Sequence, residues 1–378
     1  AYLLYLSPTK MTDDSTYRIR VKGLVQGVGF RPFIYRIAHQ HKLCGWVENS
    51  NDGVLIEVNT SQAGVLDFVA DIRSKAPPAS NVTDISFNPV SKETFKRFEI
   101  LKSRNASDAI TDVSPDIAVC DECLSDMRTQ PHRMDYPFIN CTNCGPRFTI
   151  IRELPYDRDK TTMEPFDLCP ACRKEYEDVL DRRFHAQPVA CTACGPSYEL
   201  IVAEERMDDI DLITGKVAEL LETGKIVAVK GVGGFQLACD AGNEDAVARL
   251  RRLKNREGKP FAVMFRDTAT LKVYTTLLPE ELRSLTSWRK PIVIVGDNKR
   301  LAPSVSVGFQ TVGAMLPYMP FHYLLFEKLD LPAIVLTSGN VSDEPIVISN
   351  GAAAQHLSAI ADALLIYNRD IHNRTDDS

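Results

Sequence analysis

Apolar and polar residues alternate along Tyr17-Arg-Ile-Arg-Val-Lys-Gly-Leu24, the period-two pattern of a strand with one buried face. Residues 1–16 carry no such periodicity and read as an arm. Val25–Arg31 breaks the alternation with Gly27 and Gly29 and feeds a helix that contains Pro32 in its first turn and runs to about His41; proline is well tolerated at a helix start. Leu43–Asn49 and Val54–Asn59 predict two strands joined through Ser50-Asn-Asp-Gly53, a turn with the Asp-Gly hairpin signal. A second amphipathic helix, Gln62–Lys75, stops at Ala76-Pro-Pro-Ala-Ser80, and a last strand region ends in Phe95–Ile100.

The order βαββαβ within residues 17–102 is that of the split ferredoxin-like sandwich. Polar, aperiodic residues follow from Ser103 to Ser114, and a second polar stretch covers Ala203–Asp211. Beyond it the pattern becomes α/β. A helix from about Asp211 to Glu222 is stopped by Gly224 and followed by the buried strand Ile226–Val229 and the loop Lys230-Gly-Val-Gly-Gly-Phe235. Asn243 is placed to cap a helix over Glu244–Lys254 with Ala246, Val247, Leu250 and Leu253 on one face. Ile292–Val295 and Ala333–Leu336 read as core strands, the second delivering Thr337-Ser-Gly-Asn340 to a loop. The chain therefore reads as a multidomain α+β protein: an arm (1–16), a sandwich (17–102), a linker and cysteine-rich region (103–205) and an α/β domain (206–378).

The cysteine-rich region contains one pattern twice. Cys120-x-x-Cys123 is separated by 17 residues (124–140) from Cys141-x-x-Cys144-Gly145-Pro146, and Cys169-x-x-Cys172 by 18 (173–190) from Cys191-x-x-Cys194-Gly195-Pro196. Two Cys-x-x-Cys knuckles per repeat suit a tetrahedral Zn²⁺, so two structural zinc sites are expected, with Cys44 and Cys239 outside them. Four thiolates close the coordination sphere and leave no place for water or substrate, which makes these sites a scaffold. Disulfides, a thioredoxin-like redox motif and an iron-sulfur centre are the weaker readings. His185, between the knuckles of the second repeat, reads as a packing or surface residue.

Composition narrows the picture further. The 378 residues suffice for two to four domains. A net charge of −6 speaks against a general nucleic-acid binder, although local basic clusters can still hold phosphates. No apolar run reaches the roughly 20 residues of a membrane span, and with many paired thiols and no targeting segment the cytoplasm is the expected compartment. The first residue is Ala, not Met, as in a trimmed chain.

Candidate chemistry falls in two places. In Val25-Gln26-Gly27-Val28-Gly29-Phe30-Arg31 the glycines let backbone N–H groups converge at a helix start, an anion cradle to which Arg31 adds a bidentate fork; most such turns are only turns. Together with Gly45-Trp-Val-Glu-Asn49 and Asp52-Gly53, the stretch closely resembles acylphosphatase across residues 17–102. The resemblance implies that Arg31 binds the phosphate and Asn49 orients the attacking water. The second place is the basic run Arg249, Arg251, Arg252, Lys254, Arg256 and Lys259, ordinarily a solvated face. Lys254-x-Arg256, Lys259-Pro-Phe261, Leu316-Pro-Tyr-Met-Pro320 and Thr337-Ser-Gly-Asn340 resemble the YrdC family, which binds ATP and forms a carbamoyl-type adenylate. That makes Lys230, Lys254, Arg256, Lys259, Ser338 and Asn340 candidates for nucleotide contacts.

Acylphosphatase-like, doubled-finger and YrdC-like parts in this order, with Arg183-Phe-His-Ala-Gln-Pro188, resemble the HypF family of carbamoyltransferases in [NiFe]-hydrogenase maturation. The resemblance implies carbamoyl phosphate as substrate, ATP with Mg²⁺, and a HypE-type acceptor cysteine; it also implies that the chain stops before a further large domain needed for the final transfer. The alternative of another class is a zinc-finger module that holds tRNA.

Overall fold

The computed structural model describes residues 15–50, 52–77, 79–101, 113–340 and 344–376, so most of the N-terminal arm and of the linker lies outside the described residues. Two units emerge, one of residues 1–114 with 154–157 and one of 115–153 with 158–378.

The first unit contains β1 (Ser15–Leu24), α1 (Phe30–Gln40), β2 (Cys44–Ser50), β3 (Gly53–Thr60), α2 (Gln62–Ser74), β4 (Asn81–Val90) and β5 (Phe98–Ile100), in the sheet order β4-β1-β3-β2-β5. Alternation along β1 places Ile19 and Val21 wholly inside, against Phe30, Ile34, Phe68 and Ile72 of the helices, each such side chain contributing about 1.5–3 kcal/mol by burial. On the other face Arg18 meets Glu57 and Arg20 meets Asp52. The hairpin register Ser50↔Gly53 follows the Asp-Gly turn, and the Ser61 hydroxyl accepts from Gly64 N to cap α2. The last strand region differs from expectation. It is two strands, a ten-residue β4 antiparallel to β1 and a three-residue β5 parallel to β2. β4 is an edge strand with half-buried Val82, Ile85 and Phe87, so its pattern is too weak to separate it from β5.

The second unit begins with the short helices α3 (Asp121–Thr129) and α4 (Pro170–Glu177), each starting within a cysteine knuckle. Then follow β6 (Tyr198–Val202), β7 (Glu205–Met207), α5 (Ile210–Glu222), β8 (Val227–Lys230), β9 (Phe235–Asp240), α6 (Glu244–Leu253), β10 (Ala262–Phe265), α7 (Thr268–Tyr274), α8 (Pro279–Thr286), β11 (Val293–Gly296), β12 (Thr311–Met315), α9 (Pro320–Lys328), β13 (Ala333–Ser338), α10 (Asn350–His356) and β14 (Ala363–Tyr367). The nine strands form one mixed sheet ordered β11-β12-β10-β13-β9-β8-β14-β6-β7. The sheet reaches upstream of residue 206 because Tyr198–Ile201 pair with Leu364–Tyr367 of β14, a long-range pairing that composition does not reveal. Ile292–Val295 is core on one face only: β11 is an edge strand, Val295 is buried with Val293 packed beside it, and Ile294 is 64% exposed. Leu253 turns outward rather than joining Ala246, Val247 and Leu250 in the core.

α6 and β13 bring the basic run to the sheet. Asn243 caps the start of α6 by accepting from Ala246 N at 3.1 Å. The other end of the helix delivers Lys254 to the end of β13, where Thr337 and Ser338 pair with Leu237 and Gln236.

Candidate functional site

In the first unit the loop before α1 owes its shape to Gly27 and Gly29, at φ 73° and 72°; both lie in the left-handed region that a Cβ disfavours. Val28 and Phe30 are buried and pin the loop to the core. The Gln26 amide, 2% exposed, donates to Ser50 O (2.6 Å) and Gly53 O (2.9 Å), tying the loop to the β2–β3 hairpin. Arg31, in the first turn of α1, and Asn49, near the end of β2, are thus brought together. Arg31 Nη2 (3.3 Å) and Asn49 Nδ2 (3.4 Å) both donate to one oxygen, the carbonyl of Tyr156. Asn49 Oδ1 is buried and has no hydrogen-bond partner among the described residues, an acceptor suited to a water O–H. Arg31 Nη1 lies 2.9 Å from the Asp157 carboxylate. Tyr156 and Asp157 were not legible in sequence, since Leu154–Asp157 joins this unit from between the two cysteine repeats.

In the second unit Lys254, Arg256, Lys259, Ser338 and Asn340 line a single cavity of about 910 Å³. Lys254, 1% exposed, donates to Asn340 O (2.7 Å), Asn340 Oδ1 (2.8 Å) and Ser338 O. Burial first, and the nearby Arg256 next, lower its pKa to about 7. Arg256 donates to Pro260 O at 2.7 Å and stacks over Phe261, whose ring also carries Arg251. The basic run is therefore not a uniform solvated face. Lys259 is exposed, Arg249 pairs with Asp362, and Lys254 is buried in the cavity wall. Lys230 stands apart from this cavity: its ammonium donates to Tyr367 O (3.1 Å) and Arg369 O (3.0 Å), bracing β8 against β14. The glycines that follow it, Gly233 and Gly234, line a second cavity of about 190 Å³ with Gln236, Tyr318 and Arg369.

The cysteines gather as two sets of four, Cys120, Cys123, Cys141 and Cys144, and Cys169, Cys172, Cys191 and Cys194. Sulfur separations run from 3.6 to 3.8 Å in the first group (Cys144–Cys123, Cys120–Cys141, Cys141–Cys144) and from 3.6 to 3.7 Å in the second (Cys169–Cys191, Cys191–Cys194). A tetrahedral metal with bonds of about 2.3 Å sets its sulfurs about 3.8 Å apart, so both groups fit such an ion. Cys120 is held down to about 6, chiefly by its hydrogen bond with Cys123, and Cys194 to about 4, chiefly by Cys172, while those partners are pushed up. Arginines brace the groups crosswise. Arg133, from the first repeat, donates to Cys172 of the second (3.3 Å), and Arg182, from the second, donates to Cys123 of the first (3.5 Å). His185 is not among the ligands and packs on Phe184 and Tyr176; Cys44 and Cys239 lie outside both groups.

Three family models match the chain: acylphosphatase over residues 17–100, the HypF finger over 119–151 and 168–201, and a model described as telomere recombination over 219–378. The carbamoyltransferase HypF of Rhodobacter capsulatus is 46% identical over 364 residues, 96% of this chain and 48% of that protein. The chain belongs to the HypF family. The probable carbamoyltransferase HypF of Methanocaldococcus jannaschii is 43% identical over 368 residues, again 96% of this chain and 48% of the relative. The chain thus spans about half the length of the curated HypF proteins it matches. The acylphosphatase of Burkholderia cenocepacia is 42% identical over 84 residues, which is 84% of that protein. A crystal structure of full-length HypF in its phosphate- and nucleotide-bound form superposes with a TM-score of 0.92 at 46% identity, over 98% of this chain and 49% of that one. HypF of T. kodakarensis gives 0.87 at 46% identity, over 96% and 47%. No helix among the described residues is long and apolar enough to cross a membrane.

Proposed function

We propose that this chain carries out the first two steps of a carbamoyl transfer. In the first, water adds to the phosphorus of carbamoyl phosphate and the bond from phosphorus to the carbamoyl oxygen breaks, giving carbamate, hydrogen phosphate and a proton. The observation that carries the reading is the convergence of the Arg31 and Asn49 donors on one oxygen. Arg31 holds the phosphoryl oxygens as a fork, and Asn49 Oδ1 accepts from the attacking water. Neither group needs to gain or lose a proton, because an acyl phosphate is already activated and positioning supplies most of the rate.

In the second step a carbamate oxygen adds to the α-phosphorus of ATP and pyrophosphate leaves, giving carbamoyl adenylate. Lys254, Arg256 and Lys259 neutralise the triphosphate, whose Mg²⁺ shares that task, while Ser338 and Asn340 donate hydrogen bonds. That a full-length HypF 46% identical to this chain was solved with phosphate and nucleotide bound supports a reading in which both kinds of ligand take part. Zinc in the two four-cysteine groups keeps the second unit ordered and takes no chemical part.

Phosphate release from carbamoyl phosphate tests the first step. Arg31→Ala is expected to lower kcat/KM by about 10²–10³-fold or more, the loss typical of one preorganised donor to a developing charge, and Asn49→Ala by somewhat less. Turnover like the wild type in the Arg31 variant would reduce the loop to a turn.

A further inference from the structure

The tetrapeptide Leu154–Asp157 leaves the cysteine region and packs in the first unit. Its centre meets the groups a substrate would meet. Tyr156, 4% exposed, donates its N–H to Gln26 Oε1 at 3.1 Å, and its carbonyl accepts from both Arg31 and Asn49. The Asp157 side chain, 14% exposed, sets its carboxylate 2.9 Å from Arg31 Nη1. A peptide carbonyl and a carboxylate therefore occupy the positions that ligand oxygens would take against the two residues assigned to phosphate and water.

We infer that Tyr156 and Asp157 are an internal competing ligand of the acylphosphatase-like site, and that Asp157 sets the affinity of the site for phosphoryl anions by holding Arg31 until one displaces it. The inference rests on the reading of Arg31 and Asn49 given above. Two physical points carry it. A phosphoryl dianion and the Asp157 carboxylate cannot share one guanidinium in a largely desolvated cradle without strong like-charge repulsion, so one must yield. A dianion that takes up the fork bidentately gains more than the monoanionic carboxylate loses, whereas a free carboxylate ligand gains no such advantage. The arrangement also keeps a nearly buried guanidinium paired between turnovers. Its cost is a weaker hold on every phosphoryl ligand, the product included. Asp157 is thus a specificity-setting residue that favours dianionic phosphoryl groups and speeds phosphate departure.

The test is steady-state carbamoyl phosphate hydrolysis by the full 378-residue chain, with inorganic phosphate as competitive inhibitor. Asp157→Asn keeps the shape and removes the charge; Asp157→Ala removes it by a second route, and Asp157→Glu retains it. The expectation is that both KM and the phosphate inhibition constant fall about tenfold in the Asn and Ala variants, as for loss of one hydrogen bond to a charged group, with Asp157→Glu close to the wild type. Unchanged constants, or weaker phosphate inhibition, in variants that still hydrolyse would overturn the inference and leave the hydrolytic reading standing. If the wild type and all three variants release no phosphate, the hydrolytic reading itself is wrong and the inference falls with it.

Discussion

The crosswise arginines give a prediction that no local reading of either cysteine repeat would make. Arg133 is wholly buried and belongs by sequence to the first repeat, yet it donates to Cys172 Sγ at 3.3 Å, to Glu175 Oε1 at 2.8 Å and to Ala190 O at 3.0 Å, all in the second. Arg133→Met keeps most of the side chain's volume and removes the charge. The second four-cysteine group would then lose the cation that offsets its thiolates, and Glu175, whose side chain is 15% exposed, would lose its main partner. Removing the outer partner of a metal ligand typically weakens metal binding about 10–100-fold, and breaking a buried charge pair costs about 3–5 kcal/mol of stability; the two together place the effect at the upper end. Arg182→Met should act on the first group through Cys123, but more weakly, because the Arg182 side chain is 33% exposed. The assay is zinc retention against a graded chelator, with alkylation and mass mapping to show which cysteines open. Arg133→Met should release one equivalent early and expose Cys169, Cys172, Cys191 and Cys194. Early alkylation of Cys120 and Cys123 instead, or zinc retention equal to the wild type, would refute the crosswise assignment.

Three further outcomes are expected. Metal analysis of the purified chain should return two equivalents of zinc, and acidification should release both as protons displace the metal from the thiolates; one equivalent or fewer, or iron, would reject the two-site reading. Lys254, lowered to about 7 by burial, should take up a proton when a triphosphate binds above neutral pH, measurable as a dependence of the binding heat on buffer ionisation and lost in Lys254→Met. With its folded pKa below the unfolded value of 10.5, the unfolded chain binds more protons between about pH 7 and 10.5. Lys254 therefore destabilises the nucleotide-free fold fully below about pH 7, and the penalty fades as pH rises through that window. Lys259→Ala should suppress exchange of labelled pyrophosphate into ATP while leaving carbamoyl phosphate hydrolysis intact, since Lys259 and Arg31 lie in different units; equal loss of both would contradict the separation of the two reactions.

Much of this architecture could be read from short-range pattern. Tyr17–Leu24 alternates because one face of β1 is core and the other carries ion pairs, and the Asp-Gly turn sets the β2–β3 register. The spacing of the cysteines found both groups, because a knuckle is a local structure. What the chain hides depends on distant partners. β4 is an edge strand with half-buried residues, so its apolar signal is diluted. The apolar run Ile292–Val295 looks like core, yet Ile292 and Ile294 face the cavity that holds Lys254 and Arg256. Lys254 reads as one member of a charged run, and only the fold of α6 against β13 buries it. Likeness to acylphosphatase led to the expectation that Arg31 and Asn49 lie together, as they do, whereas Leu154-Pro-Tyr-Asp157 has no periodicity, no repeat and no motif that would send it against them.

In the proposed relay carbamate joins the two reactions, and pyrophosphate exchange tests that link most directly. The chain should exchange labelled pyrophosphate into Mg-ATP only when carbamoyl phosphate is present. Arg31→Ala should abolish that exchange, and an ammonium bicarbonate solution, which contains carbamate at equilibrium, should restore it without carbamoyl phosphate. Exchange that ignores carbamoyl phosphate, or an Arg31 variant that carbamate cannot rescue while its nucleotide binding is intact, would contradict the relay.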